Sequence, residues 1–191
     1  MIEEALKNKN YATFKKKLES CGVDISQFDE KIGDKLLNAT FSLTNENGTA
    51  YDGSFIQIVL RTLTPYAIRI NDLLPENIRV DQSSLVKVCL LSQLSKCEMF
   101  VKNTNQWEID NRNMLYKYGK YYLALKMGMR SIVLCESLGI KFTPNEMEAM
   151  IIFDRNSDDK QTEFYSSTLA TILKEANDLT NLQFRMDNGS K

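Results

Sequence analysis

Hydrophobic residues recur at steps of three and four along most of this chain, the spacing that places them on one face of an α-helix. Four of them share a face of the first predicted helix: Tyr11, Phe14, Leu18 and Cys21. This helix is expected to end near Gly22, and a shorter one is predicted at residues 29–37. A polar segment with turn-forming residues follows at 44–48. The first quarter of the chain therefore predicts α-helices joined by polar loops.

The middle of the chain predicts two longer apolar helices. The first runs from Asp52 to Leu74, and Pro65 should kink or split it, because proline lacks a backbone donor and clashes with the preceding turn. From Leu85 to Leu94 almost every residue is apolar. A helix that is apolar on every side is buried, so this segment predicts the central helix of the fold.

The helical spacing breaks down between Met99 and Tyr122. Aromatic and β-branched residues in this stretch are separated by clusters of Asn and Asp, a pattern typical of short strands and turns. We therefore expect a small β-hairpin or an irregular arm at about residues 99–122.

Helical spacing returns from Gly128 to Leu138 and stops at Gly139. Thr143-Pro144-Asn145-Glu146 has the residue types of a capping box with proline at the first helical position, which marks a helix start. A last helix carries its apolar face from Tyr165 to Leu179. The pattern as a whole predicts an all-α protein: one helical domain over residues 1–185 and a flexible tail at 186–191.

The amino-acid composition is that of an ordinary globular protein. The chain is 43% hydrophobic and 26% charged with a net charge of −1, so no global charge favours nucleic acid or an anionic membrane. No apolar run approaches the roughly 20 residues that span a bilayer, and the N-terminus does not have the pattern of a signal peptide. The four cysteines show no metal-binding spacing. We expect a cytoplasmic protein, with nucleic acid and membrane unlikely as partners.

The chain contains no histidine among its 191 residues. This excludes Ser-His-Asp and Cys-His catalysis and every metal centre that needs imidazole. Carboxylate magnesium sites, lysine chemistry and plain binding remain open. The glycine-rich loops that cradle phosphates are also missing from the sequence.

Four aromatic residues of the predicted arm are candidates for an interface: Trp107, Tyr116, Tyr118 and Tyr121. Exposed aromatics are typical of protein interfaces, and next to Lys117 and Lys120 they could also stack on single-stranded nucleic acid. Packing of the arm onto the helices would explain the same residues. The sequence alone does not decide between a protein interface, nucleic-acid binding and internal packing for these residues.

Several segments, in their order along the chain, resemble the compact HD superfamily of metal-dependent phosphohydrolases. Leu36–Ser42 resembles the segment before the first ligand loop, and Tyr51-Asp52-Gly53-Ser54-Phe55 resembles the glycine turn that opens the next helix. Cys89–Lys96 is similar to the helix with the family's Leu-Leu-His-Asp-x-x-Lys. Leu125–Ile132 resembles Leu-Gly-His-Gly-Glu-Lys-Ser-Val, and Ile172–Leu179 resembles the final helix. The resemblance spans roughly residues 5–182 and implies a helical bundle with a small hairpin.

The resemblance also implies that the metal ligands of the family are lost. The positions of its histidines and aspartates fall on six residues here: Ile58, Ser92, Gln93, Met127, Phe153 and Asn177. Family members hold one or two divalent metals at these positions and hydrolyse phosphate esters with metal-bound water. The apolar replacements cannot bind such a metal, and neutral amides are poor substitutes for carboxylates. The resemblance therefore implies a former metal cavity that has become hydrophobic core.

Two cations are retained at positions that the resemblance places beside this centre, Lys96 and Arg130. They could hold a phosphate or a nucleotide, or they could be ordinary cations on helix surfaces. We expect no catalytic residue, no metal and no cofactor.

The leading hypothesis is a non-catalytic HD-fold protein that acts in structure or interaction, with protein partners or self-assembly. Since small HD proteins occur in bacteria and their bacteriophages, a phage structural component or assembly factor is the expected setting, which would place the protein in the virion. The alternative is a sensor that binds a nucleotide or phosphorylated metabolite without turnover. A third hypothesis is residual hydrolysis at a carboxylate magnesium site drawn from Glu98, Asp154 or Asp178.

Overall fold

The computed structural model describes residues 3–45, 48–119, 124–153 and 166–186. These ranges are mostly α-helical and contain a small two-stranded antiparallel sheet, which confirms the predicted fold class. Within them, no helix is both long enough and apolar enough to cross a membrane.

The N-terminal pair of helices follows the predicted pattern. Helix α1 (Glu4–Ser20) buries Phe14 and Leu18, and the chain leaves it through Gly22 at φ 75°. Helix α2 (Phe28–Leu37) buries Phe28, Ile32 and Leu36, spaced by four residues on one face. Both helices therefore contribute one apolar stripe to a common core.

The segment around Pro65 is helical throughout but changes its hydrogen bonding. Helix α3 (Ser54–Ile58) runs into a π-helical turn (Val59–Leu63) and then into α4 (Thr64–Leu73). The π turn ends just before Pro65, where an α-helical bond from the proline nitrogen would be missing. The expected break at Pro65 is thus a local widening of the helix.

The predicted central helix is α5 (Gln82–Leu91), which begins after a short 3-10 turn (Glu76–Ile78). Six of its ten residues are buried, and it contacts α1, α4 and three later helices. The Asp81 carboxylate caps its first turn by accepting a hydrogen bond from the Ser84 N–H at 2.8 Å. A buried turn leads from α5 into α6 (Lys96–Met99).

The predicted arm combines a hairpin with a helix. Strand β1 (Phe100–Lys102) pairs antiparallel with β2 (Tyr116–Tyr118), with Val101 opposite Lys117. Between the strands lies α7 (Gln106–Arg112), which the sequence pattern did not predict. Its Asn105 cap accepts a hydrogen bond from the Trp107 N–H at 3.1 Å. An asparagine interpreted as a turn residue is therefore a helix cap here, because the two roles use the same side-chain chemistry.

Three helices complete the bundle: α8 (Met127–Ser137), α9 (Pro144–Ile152) and α10 (Thr168–Met186). The predicted capping box is present at the start of α9, where Thr143 and Glu146 exchange hydrogen bonds. The buried Glu146 carboxylate also accepts a hydrogen bond from the Lys87 amine at 2.9 Å, so the cap is tied to α5. Tyr165 and most of the predicted tail lie outside the described residues.

Helices α8 and α9 meet at a point where only glycine fits. A Cβ atom on Gly128 would overlap the Met150 carbonyl and lie 3.1 Å from Phe153 Cε1. The two helix backbones can approach this closely only without a side chain at that position.

The Gly128→Ala substitution should lower the free energy of unfolding by about 2–3 kcal/mol, because the added methyl group forces α8 away from α9. Chemical denaturation monitored by circular dichroism measures the change. Gly33→Ala is the matched control, since its added Cβ would lie no closer than 3.4 Å to a neighbouring atom in the middle of α2. It should be neutral or slightly stabilising. Equal effects of the two substitutions would contradict the tight packing of α8 on α9.

Candidate functional site

Two of the six positions implied by the resemblance are in direct contact. Gln93 follows α5, and Asn177 lies in the middle of α10, 84 residues later in the chain. The Gln93 Nε2 group donates a hydrogen bond to Asn177 Oδ1 at 3.0 Å, and the Gln93 side chain is buried. A neutral amide pair therefore lies where the resemblance places an aspartate on each of the two helices.

The other four positions lie in or against the hydrophobic core. Ile58, Ser92 and Phe153 are buried, and Met127 is partly buried against the core. The Met127 carbonyl accepts a hydrogen bond from Ser95 Oγ at 3.2 Å, so the start of α8 lies on the turn that carries Gln93. These positions offer an aliphatic and an aromatic side chain, a thioether, a hydroxyl and two amides, and they lack the imidazoles and carboxylates that bind catalytic divalent metals.

Ser92 leaves one polar atom without a partner in this region. Its Oγ is buried and forms no hydrogen bond with any described residue. A buried hydroxyl in this state costs roughly 1–3 kcal/mol. Over the described ranges, no three Cys, Asp or Glu side chains lie close enough together to share a metal ion.

A serine pair that the sequence did not single out fixes the turn between α5 and α6. Ser131 Oγ on α8 accepts a hydrogen bond from the Ser95 N–H at 3.1 Å and donates one to Ser95 Oγ at 3.0 Å. All of these atoms are buried. In the sequence, Ser131 alone of the two was marked, because it matches the serine of the family motif in Leu125–Ile132. Its partner Ser95 is brought to it by the tertiary fold.

Lys96 is a buried residue with only 6% of its surface exposed. Its Nζ donates a hydrogen bond to the Phe41 carbonyl at 2.7 Å and lies 3.6 Å from the centre of the Phe41 ring. The Phe100 ring centre is 6.0 Å away. Neither sequence-based alternative for Lys96 therefore fits: it is not a helix-surface cation, and its amine is not placed to meet a phosphate from solvent.

Burial also changes the protonation of Lys96. Removal of the ammonium from water lowers the pKa of Lys96 to about 7, far below its usual value. The amine can still donate to the Phe41 carbonyl after it loses its charge. Lys96 thus holds the loop before α3 against α6 in either protonation state.

Arg130 is also buried, and it lines a cleft. Its Nε donates to the Leu125 carbonyl at 3.3 Å, and its side chain forms part of the wall of a cleft between α2, α6 and α8. Of the two predicted phosphate ligands, Arg130 therefore borders a cleft that is described here.

The four predicted interface aromatics separate into different environments. Trp107 is 58% exposed, with the Arg112 guanidinium 5.1 Å from its ring centre. Tyr118 is 51% exposed and packs edge-on against Phe100. Tyr116 is only 6% exposed, so the packing alternative describes this residue and an interface does not. Tyr121 lies outside the described residues.

Tyr116 joins the arm to the body of the protein. Its hydroxyl donates a hydrogen bond to Asp52 Oδ1 at 2.7 Å, and Lys102 Nζ donates to Asp52 Oδ2 at the same distance. Asp52 immediately precedes Gly53, whose φ of 83° belongs to the left-handed region that favours glycine. The turn that opens α3 is therefore also the anchor of both strands.

The carboxylates of the third hypothesis are paired with lysines. Glu98 accepts a hydrogen bond from Lys35 Nζ at 2.8 Å, and Asp178 accepts one from Lys174 Nζ at 3.1 Å. Asp154 lies outside the described residues. The geometry of Glu98 and Asp178 is that of surface ion pairs.

The free energy of unfolding should contain a term from Lys96 that increases as the pH rises from about 7 to about 10. In this range the unfolded chain keeps a proton on Lys96 that the folded protein has released, so a higher pH favours the folded state. The slope from one such group is at most about 1.4 kcal/mol per pH unit.

Comparison with Lys96→Met isolates this term, because cysteines and tyrosines titrate in both proteins. We expect the difference in unfolding free energy between wild type and variant to rise with pH from about 7 and to level off near pH 10. Urea denaturation at a series of pH values measures it. A difference that does not change with pH would show that Lys96 keeps an ordinary pKa.

No family model matches this chain, and no curated protein and no solved structure matches it. The site is therefore described from its own residues. The turn after α5 is buried and polar, and its Gln93 pairs with Asn177 of α10. Lys96 is buried against Phe41, and Arg130 lines a cleft.

Proposed function

We propose that this protein is a non-catalytic member of the HD type, a helical scaffold that acts through interaction and not through hydrolysis. The hydrogen bond between Gln93 and Asn177 is the observation that carries the proposal. The resemblance required these two positions, 84 residues apart, to face each other, and no other feature of the sequence brought them together. Their contact supports the proposal for this reason.

The chemistry of the six positions supports the loss of catalysis. Two carboxylates at positions 93 and 177 would repel each other unless a metal or a proton lay between them. Two amides need neither, since one donates to the other. Ile58 and Phe153 are buried apolar residues that need no hydrogen-bond partner, so these two positions do not depend on an ion.

The arm supports an interaction role. Trp107 and Tyr118 are exposed on an element that is joined to the body through Asp52, and aromatic residues of this kind are enriched in protein interfaces. We infer that the arm contacts a protein partner or a second copy of the chain. By analogy with the phages that encode small HD proteins, we place this role in a bacteriophage particle or its assembly.

The alternative is a sensor that binds a phosphorylated ligand without turnover. Because Lys96 is buried, it does not contribute to such a site. Arg130 lines a cleft, which favours a sensor site that uses Arg130 without Lys96. The two proposals are compatible, because the arm and the cleft involve different residues.

Restoring the ligands should restore metal binding. A variant with Ser92→His, Gln93→Asp, Met127→His and Asn177→Asp is expected to bind about one Mn²⁺ ion per chain, since the resemblance places two carboxylates and two imidazoles around one ion. Wild type should bind none. Isothermal titration with MnCl₂ measures Mn²⁺ binding by the variant and by wild type. The metal content of each protein after dialysis gives the number of ions that stay bound.

The matched control places the last carboxylate one helical turn further along α10. This variant carries Asn181→Asp in place of Asn177→Asp and should bind Mn²⁺ much more weakly. Circular dichroism establishes that both variants are folded. Equal binding by the two, or no binding by a folded first variant, would contradict the proposed origin of the site.

An interaction role predicts a discrete assembly that depends on the arm. Native mass spectrometry of the protein purified from its source should show an oligomer or a complex with a partner. The double substitution Trp107→Ala with Tyr118→Ala should shift the chain toward the monomer by at least about tenfold in dissociation constant.

Leu73→Ala is the control, because Leu73 is the most exposed large apolar residue in the described ranges and lies on α4, away from the arm. It should leave the assembly unchanged. A strictly monomeric wild-type protein without a partner would contradict the interaction role.

A further inference from the structure

Strand β1 is an open edge of the small sheet. Among the described residues, the sheet consists of β1 and β2. The outer side of β2 is covered, since the Tyr116 N–H donates to the Leu43 carbonyl at 3.0 Å and Thr44 forms a bridge with Met114. The outer side of β1 has no such neighbour in the described ranges. An open edge of this kind is a template on which a further strand can pair.

The register of the sheet decides which backbone groups of β1 point to the open side. The Asn103 N–H donates to the Leu115 carbonyl at 2.9 Å, so Asn103 faces β2, and Val101 shares that orientation. Residues between them point the other way, because alternate residues of a strand bond to opposite sides. The Phe100 carbonyl and both backbone groups of Lys102 therefore face away from β2. No hydrogen bond with a described residue uses these three groups.

A groove of about 320 Å³ lies beside this strand, and all three residues of β1 line it. The end of α2 contributes Lys35 and Asn38 to the lining, and Ala39 and Cys97 add apolar surface. The open edge thus borders a space that can accept side chains of a segment paired with β1.

The charged side chains of this groove are paired with one another. Lys35 Nζ lies 2.8 Å from a Glu98 carboxylate oxygen, and Lys102 Nζ lies 2.7 Å from Asp52 Oδ2. The described lining therefore has no net charge. Backbone hydrogen bonds and apolar contact are left as the means by which this groove selects a partner.

A second copy of the chain is a poor match for the open edge. A two-fold axis centred on Lys102 would place that lysine opposite the same lysine of the other copy, and like charges directly opposite each other are destabilising. An axis centred on Val101 or Phe100 would require the Phe100 N–H, which already donates to the Lys96 carbonyl. A strand from a different protein meets neither obstacle.

We propose that β1 binds an extended segment of a partner protein, which adds a third strand to the sheet. The segment bonds to the Phe100 carbonyl and to the N–H and carbonyl of Lys102, and it places an apolar side chain in the groove. In strand addition, main-chain hydrogen bonds give affinity and pockets for alternate side chains give selectivity. This inference rests on the proposed interaction role of the arm, to which β1 belongs, and specifies the kind of partner.

Peptides selected from a random phage-displayed library on the full chain test the proposal. Calorimetry with the synthetic peptides should give dissociation constants of about 100 μM or lower. Methylation of one peptide nitrogen at a time then reports the binding mode. A methyl group at every second position should weaken binding at least about tenfold, and one at the positions between should have little effect, since only alternate N–H groups face β1.

Two substitutions of Lys102 form a matched pair on the protein side. Lys102→Pro removes the N–H that faces the open side, where an edge strand tolerates proline, and should weaken peptide binding at least about tenfold. Lys102→Ala also loses the ion pair with Asp52 but keeps the N–H, and should bind within about threefold of wild type. In wild type, hydrogen exchange of the Lys102 amide should slow when the peptide binds.

Three results would overturn strand addition: no peptide is selected, the methylation effects lack a period of two residues, or the folded proline and alanine variants bind equally. Circular dichroism establishes that both variants are folded, and the methylation series does not depend on them. The interaction role of the arm has its own test through Trp107 and Tyr118, so its failure is distinguishable from the failure of strand addition.

Discussion

The buried turn that follows α5 is the constraint on which the rest of the structure depends. Three polar side chains in and directly after it reach different elements: Gln93 bonds to α10, Ser95 to α8 and Lys96 to the loop before α3. Because these groups are buried, each must find its partner or incur the cost of an unsatisfied polar atom. Three parts of the chain that are distant in sequence are thereby brought to the end of one central helix.

The same turn explains how a catalytic scaffold of the proposed type could persist without its metal. A metal centre joins helices through ionic ligands, and its removal would leave like charges buried together. In this chain an amide pair, a serine pair and a lysine on a carbonyl provide neutral or singly charged connections between the helices, and the proposed function assigns them the place of such a centre. Under the proposed function, the contacts between helices remain and the chemistry of the centre is gone.

Much of the fold could be predicted from hydrophobic spacing, because most helices bury a single stripe. The stripe of α2, the all-apolar α5 and the capping box of α9 gave clear signals. Helix α7 was missed because it has no buried residue, so no apolar stripe marked it. The π turn before Pro65 was missed as well, since a change from α to π hydrogen bonding leaves the apolar pattern nearly intact.

The site was less predictable, because burial of polar groups is decided by tertiary contacts. For Lys96 the sequence left a phosphate ligand and a helix-surface cation open, and only the position of Phe41, 55 residues earlier, shows why the lysine is buried. For Tyr116 the sequence left an interface and internal packing open, and its hydroxyl donates to Asp52, a contact across 64 residues. Gln93 and Asn177 were singled out through the resemblance, and local spacing does not predict their contact across 84 residues.

The metal content of the protein purified from its source without chelators tests the central claim most directly. Inductively coupled plasma mass spectrometry should find no transition metal in stoichiometric amount, since amide, hydroxyl, aliphatic and aromatic groups occupy the six positions. One tightly held Mn, Fe, Co, Ni or Zn ion per chain would contradict the account.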